Sequence, residues 1–281
     1  EIDVAQLGAS FFDAGGTSIA AAELVARTRS SLGIHVRFAR ALIERLLTNP
    51  TFSAYCIAVA EARAGILQAG ASPQELMDAD LRRPAPIVKQ PYAASPLTSA
   101  SAAVLTGATG FLGAHLLPRL LSRTSARVAC LVRAETEDAA RERLMAAWQK
   151  YDSASDIPEH ALDRIDVILG DLAQPSLGLT ESAFDALANR TDMVFHSGGT
   201  VNFIYPYAEM KAANVDGTYE LLRLAARRGA PFHHVSTMAV IAGHGIVNNR
   251  KQIHEDDTLG HLNQLGVGYV ESKWIAEHHV R

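Results

Sequence analysis

The chain has 281 residues, 48% of them hydrophobic and 20% charged, with a formal net charge of −4 from 26 basic and 30 acidic residues. That mix excludes a wholly disordered chain and supplies apolar material for one large domain or two smaller ones. The lack of a basic excess argues against a dedicated nucleic-acid binder. Two cysteines, Cys56 and Cys130, exclude a disulfide framework and a cysteine-rich zinc site. Both sit in apolar runs and read as small core residues in a reducing compartment. No uninterrupted apolar run approaches the ~20 residues of a membrane helix. The start Glu1-Ile2-Asp3 has no Met and no basic segment, so no signal peptide is visible. The expectation is a cytoplasmic chain with no metal site, no membrane contact and a natural start before residue 1.

Residues 1–64 are Ala-rich and read as helices. Leu24, Val25, Leu42, Ile43, Leu46, Leu47, Phe52, Tyr55, Ile57 and Val59 would form a small core, with Asn49-Pro50-Thr51 closing one helix and capping the next. Residues 65–100 carry Gly65, Gly70, Pro73, Pro84, Pro86, Pro91 and Pro96 and read as a linker with one short helix over 73–81. From residue 101 strands and helices alternate. Strands are expected over 102–105, 127–132, 165–169, 193–195 and 231–235, with helices over 114–122, 135–151 and 213–228. Short apolar strands separated by helices predict a parallel sheet covered on both faces, a doubly wound α/β arrangement behind a small all-α bundle.

Phe11-Phe12-Asp13-Ala14-Gly15-Gly16-Thr17-Ser18 leads into the helical run 19–32. Taken alone, Ser18 at a helix start is best read as a cap, satisfying backbone N–H groups; its surroundings change that reading. The aromatic and acidic lead into Gly-Gly-x-Ser, with helices following, resembles the carrier-protein domain of nonribosomal peptide synthetases and carboxylate reductases. Thr17 stands where that family more often has His or Asp. The resemblance implies a 4′-phosphopantetheine arm on Ser18, installed by a phosphopantetheinyl transferase and able to hold an acyl group as a thioester. It also implies a further helix before residue 1.

Thr106-Gly107-Ala108-Thr109-Gly110-Phe111-Leu112-Gly113 follows the first strand and opens a helix. A dinucleotide needs this form: one glycine for the sharp turn, a second so that the backbone approaches the pyrophosphate, and a third for close helix–strand packing. The helix N-terminus then offers N–H groups to phosphate. The second strand ends in Arg133 rather than the acid that would bind the ribose of NAD, so the pattern points to NADPH, with Arg143 as a second cation. Both arginines could instead be solvated and paired with neighbouring glutamates. Asp171 and Leu172 follow the third strand, where a carboxylate could accept from the adenine amine or simply shape a turn. Ser197 and Gly198 follow the fourth strand and would leave room for the cofactor. Ser236-Thr237 lies at the C-terminal sheet edge. Tyr269 and Lys273 fall at i and i+4 on one helix face, a spacing also found on ordinary amphipathic helices. A nearby ammonium would favour the phenolate and lower the ordinary tyrosine pKa of ~10.

This half resembles the extended short-chain dehydrogenase/reductase family, a Rossmann-type fold, and within it the thioester reductase domains of peptide synthetases and carboxylic acid reductases. Asn214-Val215-Asp216-Gly217-Thr218 is similar to that family's Asn-x-x-Gly-Thr helix start. The resemblance implies catalysis by Thr237, Tyr269 and Lys273. It implies cofactor contacts from Thr106, Gly107, Thr109, Gly110, Phe111, Leu112, Gly113, Arg133, Arg143, Asp171, Leu172, Ser197, Gly198 and Lys273. It further implies a C-terminal substrate-binding part after residue 281 and upstream adenylation or condensation domains of the same assembly line. The division is then a carrier domain over 1–64, a linker over 65–100 and a reductase domain over 101–281. The expected activity is NADPH-dependent release of a tethered acyl or peptidyl thioester as an aldehyde, or onward to the alcohol. Two other readings share the residues: a docking module whose reductase-like domain binds NADPH without chemistry, and an epimerase or dehydratase of the same superfamily.

Overall fold

The computed structural model of the chain describes residues 9–68, 71–88, 99–151, 159–203, 205–241, 252–254, 257 and 266–281. Two compact units divide the chain, Glu1–Asp78 and Ala79–Arg281.

In the first unit α1 (Ser18–Leu32), α2 (Ala39–Thr48) and α3 (Phe52–Arg63) pack around Val25, Leu42, Leu46, Tyr55 and Ala58. Phe11 closes on the edge of this cluster. The glycine pair before α1 has a steric cause. Gly15 takes a φ of +90°, which L side chains avoid, and a Cβ on Gly16 would collide with the Phe11 ring. The helix cap is Thr17, whose hydroxyl accepts the Ala20 N–H at 3.2 Å, and Ser18 is the first helical residue. Thr51 caps α3 in the same way, accepting from Ala54 N–H at 3.3 Å. Two sequence expectations are corrected here. Cys56 is exposed, because Tyr55, Ala58 and Ala62 define the buried face of α3 and Cys56 lies one helical step off it. Ile57 is exposed for the same reason, and Phe52, the first residue of α3, is exposed although it lies in phase with that face.

Helix α4 (Pro73–Leu81) opens with a reciprocal cap: Ser72 N–H donates to Glu75 and Glu75 N–H donates to the Ser72 hydroxyl. The unit boundary falls within this helix.

The second unit holds β1 (Ala102–Thr106), β2 (Arg127–Val132), β3 (Ile165–Leu169), β4 (Met193–His196) and β5 (Phe232–His234), all parallel in the order β3-β2-β1-β4-β5. Val104, Leu105, Val128, Cys130 and Val194 are fully buried or nearly so, as expected of strands covered on both faces. Burial pushes the Cys130 thiol up to about 12, so it is an inert core residue. The helices are α5 (Phe111–Arg123), α6 (Glu137–Lys150), α7 (Glu181–Arg190), α8 (Tyr207–Lys211), α9 (Gly217–Ala226) and α10 (Gly268–Val280). The helix expected over 213–228 instead begins earlier and is broken. Residues Ala212–Asp216 form a π-helical turn between α8 and α9. Gly217, opening α9, packs so tightly that an added Cβ would sit 2.6 Å from the Leu172 carbonyl. Among the described residues no helix is long and apolar enough to cross a membrane.

Part of the stretch expected as linker is anchored within this unit. Asp80, 3% exposed, accepts from the Tyr207 hydroxyl at 2.7 Å, Lys211 Nζ at 2.8 Å and Arg83 at 3.0 Å. Lys211 and Arg83 also reach Asp216, at 2.7 and 2.6 Å. The Arg83 guanidinium lies over the Tyr219 ring, whose hydroxyl donates to the Pro84 carbonyl at 2.8 Å. Removing one partner of a buried, paired charge leaves the others uncompensated, at a cost of about 3–5 kcal/mol. Asp80→Ala should therefore lower unfolding stability by about 3 kcal/mol, read as a shift of the urea midpoint, whereas a free linker residue would shift nothing.

Candidate functional site

The glycine turn stands between β1 and α5. Gly107 has a φ of +73°, and a Cβ there would lie 2.6 Å from the Gly198 nitrogen. A Cβ on Gly113 would run into the Gly107 carbonyl, so this glycine lets α5 press against the turn. A Cβ on Gly110 would meet the Gly107 carbonyl alone, at 3.3 Å. The turn is thus bare backbone facing the C-terminal edge of the sheet at the point where strand order reverses, between β1 and β4.

A cavity of about 260 Å³ opens there. Thr106, Gly107, Thr109, Arg133, Arg143, Asp171, Leu172 and Gly198, all expected at a cofactor site, line it together with Gly199, Thr200 and Glu209. The other expected residues do not line it. Gly113 is buried in packing, Ser197 donates its hydroxyl to the Thr106 carbonyl at 2.7 Å, and Phe111 and Leu112 are exposed on α5. The Arg133 side chain is 75% exposed and lies 4.0 Å from Asp171, while Arg143 donates to the Arg133 carbonyl. Bare glycine backbone, a helix N-terminus and an exposed guanidinium at the end of β2 fit a dinucleotide.

Beneath the cavity lies a polar core that the sequence did not announce. His196, 1% exposed, receives the Thr106 hydroxyl at Nδ1 (2.7 Å) and faces the Thr218 hydroxyl at Nε2 (2.9 Å). The directions are forced. Thr218 donates to the Asn214 carbonyl at 2.6 Å, so its oxygen accepts from His196 Nε2–H. Nδ1 must then accept from Thr106, whose oxygen in turn accepts Gly198 N–H at 3.1 Å. Burial holds His196 well below the ordinary histidine pKa, with the His234 and Lys273 charges adding to the effect. Asn214 continues the chain: it accepts from Thr200 N–H at 2.7 Å and donates to Thr200 O and the Ser272 hydroxyl at 3.0 and 2.9 Å.

Ser272 belongs to α10, the helix that carries Tyr269 and Lys273. Tyr269 lies beside the Thr237 side chain and meets Phe203 edge-on at 5.4 Å. Burial raises the Tyr269 phenol, and the neighbouring Thr237 side chain offsets this in part. The expected lowering by Lys273 is not found, because the ammonium is committed elsewhere. Lys273, 5% exposed, donates to the Val235 carbonyl at 2.7 Å and lies 3.1 Å from His234 Nε2. Burial brings the lysine down to about 8, against a weaker pull upward from Glu277. Lys273 does not line the cavity around Gly107. Sequence reasoning missed His234 altogether; its only signal was its place at the end of the fifth strand.

These features define the class: a nicotinamide-nucleotide-binding oxidoreductase domain of Rossmann type. Residues 105–281 match the NAD-binding family described as Male sterility protein, and the chain belongs to that family. It is 39% identical over 277 residues to a linear gramicidin synthase protein of Brevibacillus parabrevis, covering 96% of this chain and 5% of that protein. It is 36% identical over 278 residues to glycine betaine reductase ATRR of Emericella nidulans, covering 95% and 21% respectively. The terminal R domain of the myxalamid PKS-NRPS pathway superposes with a TM-score of 0.65 at 40% identity, over 74% of this chain and 52% of that one. The fold is that of terminal reductase domains of nonribosomal peptide synthetases, and the chain spans 5% and 21% of these two relatives and about half of the solved domain.

Buried neutral histidines make stability depend on pH. His196 lies well below its ordinary value, His234 is brought down to about 3 and His279 to about 4, each mainly by burial. Below the unfolded value of ~6.5 the unfolded chain binds protons that the folded chain refuses, so stability falls with pH. The unfolding free energy, measured by urea denaturation, should drop steadily from pH 6.5 to pH 4, by up to about 1.4 kcal/mol per pH unit for each such histidine. His234→Gln should flatten that slope.

Proposed function

We propose that the chain is a carrier–reductase pair that releases an acyl or peptidyl group, held as a thioester on a 4′-phosphopantetheine arm at Ser18, as an aldehyde at the expense of NADPH. The observation that carries this reading is the placing of Thr237, just past β5, beside Tyr269 on α10, with Lys273 buried one turn on, at the C-terminal edge of the sheet that also holds the glycine turn. Similarity to a gramicidin synthase protein over 96% of the chain, first unit included, supports a carrier preceding the reductase.

Gly107, Thr109 and Gly110 would hold the pyrophosphate, Arg133 and Arg143 the 2′-phosphate, and Asp171 and Leu172 the adenine. Bound there, NADPH supplies a hydride to the thioester carbonyl carbon. The chain's residues handle the oxygen. Thr237 and Tyr269 donate hydrogen bonds to it as charge develops, and Tyr269 passes the proton. The C–S bond then breaks and the arm returns as a thiol, so that one thioester, one NADPH and one proton give an aldehyde, a thiol and NADP⁺. A second round would reduce the aldehyde to the alcohol. Upstream adenylation or condensation domains would load Ser18 after a phosphopantetheinyl transferase has modified it.

Three measurements test this. Arg133→Ala should weaken NADPH far more than NADH in a binding titration, by about 1.5–3 kcal/mol for the lost charged hydrogen bond; equal weakening would remove Arg133 from phosphate recognition. Intact mass after treatment with transferase and coenzyme A should show one added arm on the wild type and none on Ser18→Ala. With the arm acylated, Tyr269→Phe should abolish aldehyde formation while leaving Ser18 loadable and NADPH bound. Aldehyde formed at the wild-type rate would take Tyr269 out of the reaction.

A further inference from the structure

His234 ends β5 and faces α10. Its Nε2 lies 3.1 Å from Lys273 Nζ, and its buried Nδ1 meets no partner among the described residues. Among those residues the lysine therefore supplies the hydrogen bond that orients the ring. Aromatic packing fixes the ring's place: His196 lies 5.2 Å away and tilted, and Phe232 is stacked at 6.4 Å. Lys273 is held from the same strand end, since the Val235 carbonyl takes a second N–H at 2.7 Å.

An imidazolium and an ammonium cannot share this buried spot. Burial brings His234 down to about 3 and leaves Lys273 at about 8, so at neutral pH the ring is neutral and the amine charged. The only acceptor His234 can then offer Lys273 is a bare Nε2, with its proton on Nδ1. A lysine ammonium on a flexible stem has three rotating donors. Committing two of them to acceptors on one rigid strand fixes the direction of the third.

We infer that His234 is a positioning residue of the reductase: as the Nδ1–H tautomer it clamps the Lys273 ammonium together with the Val235 carbonyl, and so aims the remaining N–H. This rests on the reading of Tyr269 and Lys273 as the catalytic pair. The charged and titratable groups facing Lys273 are His234 from β5, His196 from β4 and Glu277 from α10 itself, the last favouring the ammonium.

The tautomer can be read on the wild-type chain. Long-range ¹H–¹⁵N spectra of histidine-labelled protein at pH 7, with His234 assigned from its loss in His234→Gln, should show Nδ1 protonated and Nε2 bare. An Nε2–H tautomer overturns the proposal. Lysine-labelled protein, with Lys273 assigned from Lys273→Met, gives the second reading. His234→Leu should lower the Lys273 titration midpoint by about one pH unit, a tenfold change in the charged fraction, by loss of a charged hydrogen bond. His234→Gln, whose amide oxygen is an acceptor, should restore it. With NADPH and an acyl-loaded arm, His234→Leu should lose about tenfold in kcat with KM little changed, and His234→Gln should recover most of it. An unmoved midpoint in folded His234→Leu, or equal losses in both variants, overturns the assignment. If the wild type reduces no thioester, the proposed reaction fails while tautomer and titration still decide whether His234 clamps Lys273.

Discussion

The buried imidazole of His196 is the constraint around which the second unit is arranged. A neutral ring in the core has one donor and one acceptor, and an unpaired one would cost about 1–3 kcal/mol. Here both are met by threonine hydroxyls, and each hydroxyl passes its own obligation outward, Thr106 to Gly198 N–H and Thr218 to the Asn214 carbonyl. The result is a directed run of hydrogen bonds crossing β1, β4 and α9 beneath the glycine turn. Asn214 then binds both backbone groups of Thr200 and the Ser272 hydroxyl on α10. One polar network therefore fixes the floor of the cavity and the helix bearing Tyr269. No member can rotate without orphaning its neighbour.

The π-helical turn belongs to the same arrangement. Its five residues, Ala212–Asp216, bring Asn214 inward to the network and Asp216 outward to Lys211 and Arg83. Asp216 and Asp80 share those two cations, so the segment entering the second unit is tied to the turn from which Asn214 projects. The aspartate, lysine, arginine and tyrosine of this cluster give each charge at least one partner of opposite sign. That is the condition under which buried charge is tolerated.

Much of this was legible in the sequence, and the exceptions share causes. The five strands fall where apolar β-rich runs stood, within two residues at either end, because full burial on both faces leaves an unambiguous apolar signature. The glycine turn was legible because sterics allow nothing else at Gly107 and Gly113. Helix α7 went unread although Phe184, Leu187 and Ala188 mark its buried face at i, i+3 and i+4; only three apolar anchors in ten residues made a weak signal. The break at Ala212–Asp216 was only half legible: Gly217, which opens α9, stood in a helix-start motif, but the inward turn of Asn214 that causes the break is tertiary. The partners of Lys273 were hidden in the same way. Helical spacing places Lys273 beside Tyr269, but spacing carries no information about which acceptors a buried ammonium finds on the neighbouring strand.

Strand order gives the site two cations under opposite physics. β2 and β5 flank the β1–β4 pair on opposite sides, so Arg133 at the end of β2 and Lys273 beside the end of β5 stand apart across the turn. Arg133 is largely in water, where its charge is screened and its attraction for a phosphate comes mainly from the planar fork of donors. Lys273 is out of water, where each acceptor it finds changes its charge state and its aim. The nucleotide recognition proposed for Arg133 can tolerate the mobility of the first. Proton transfer at a carbonyl oxygen cannot tolerate a loose ammonium, because misplacement of reacting groups by about 1 Å costs about a hundredfold in rate. Under the proposed function the two ends of the crevice are built differently because binding and chemistry need different stiffness, and that stiffness is set by burial on β5 and by exposure on β2.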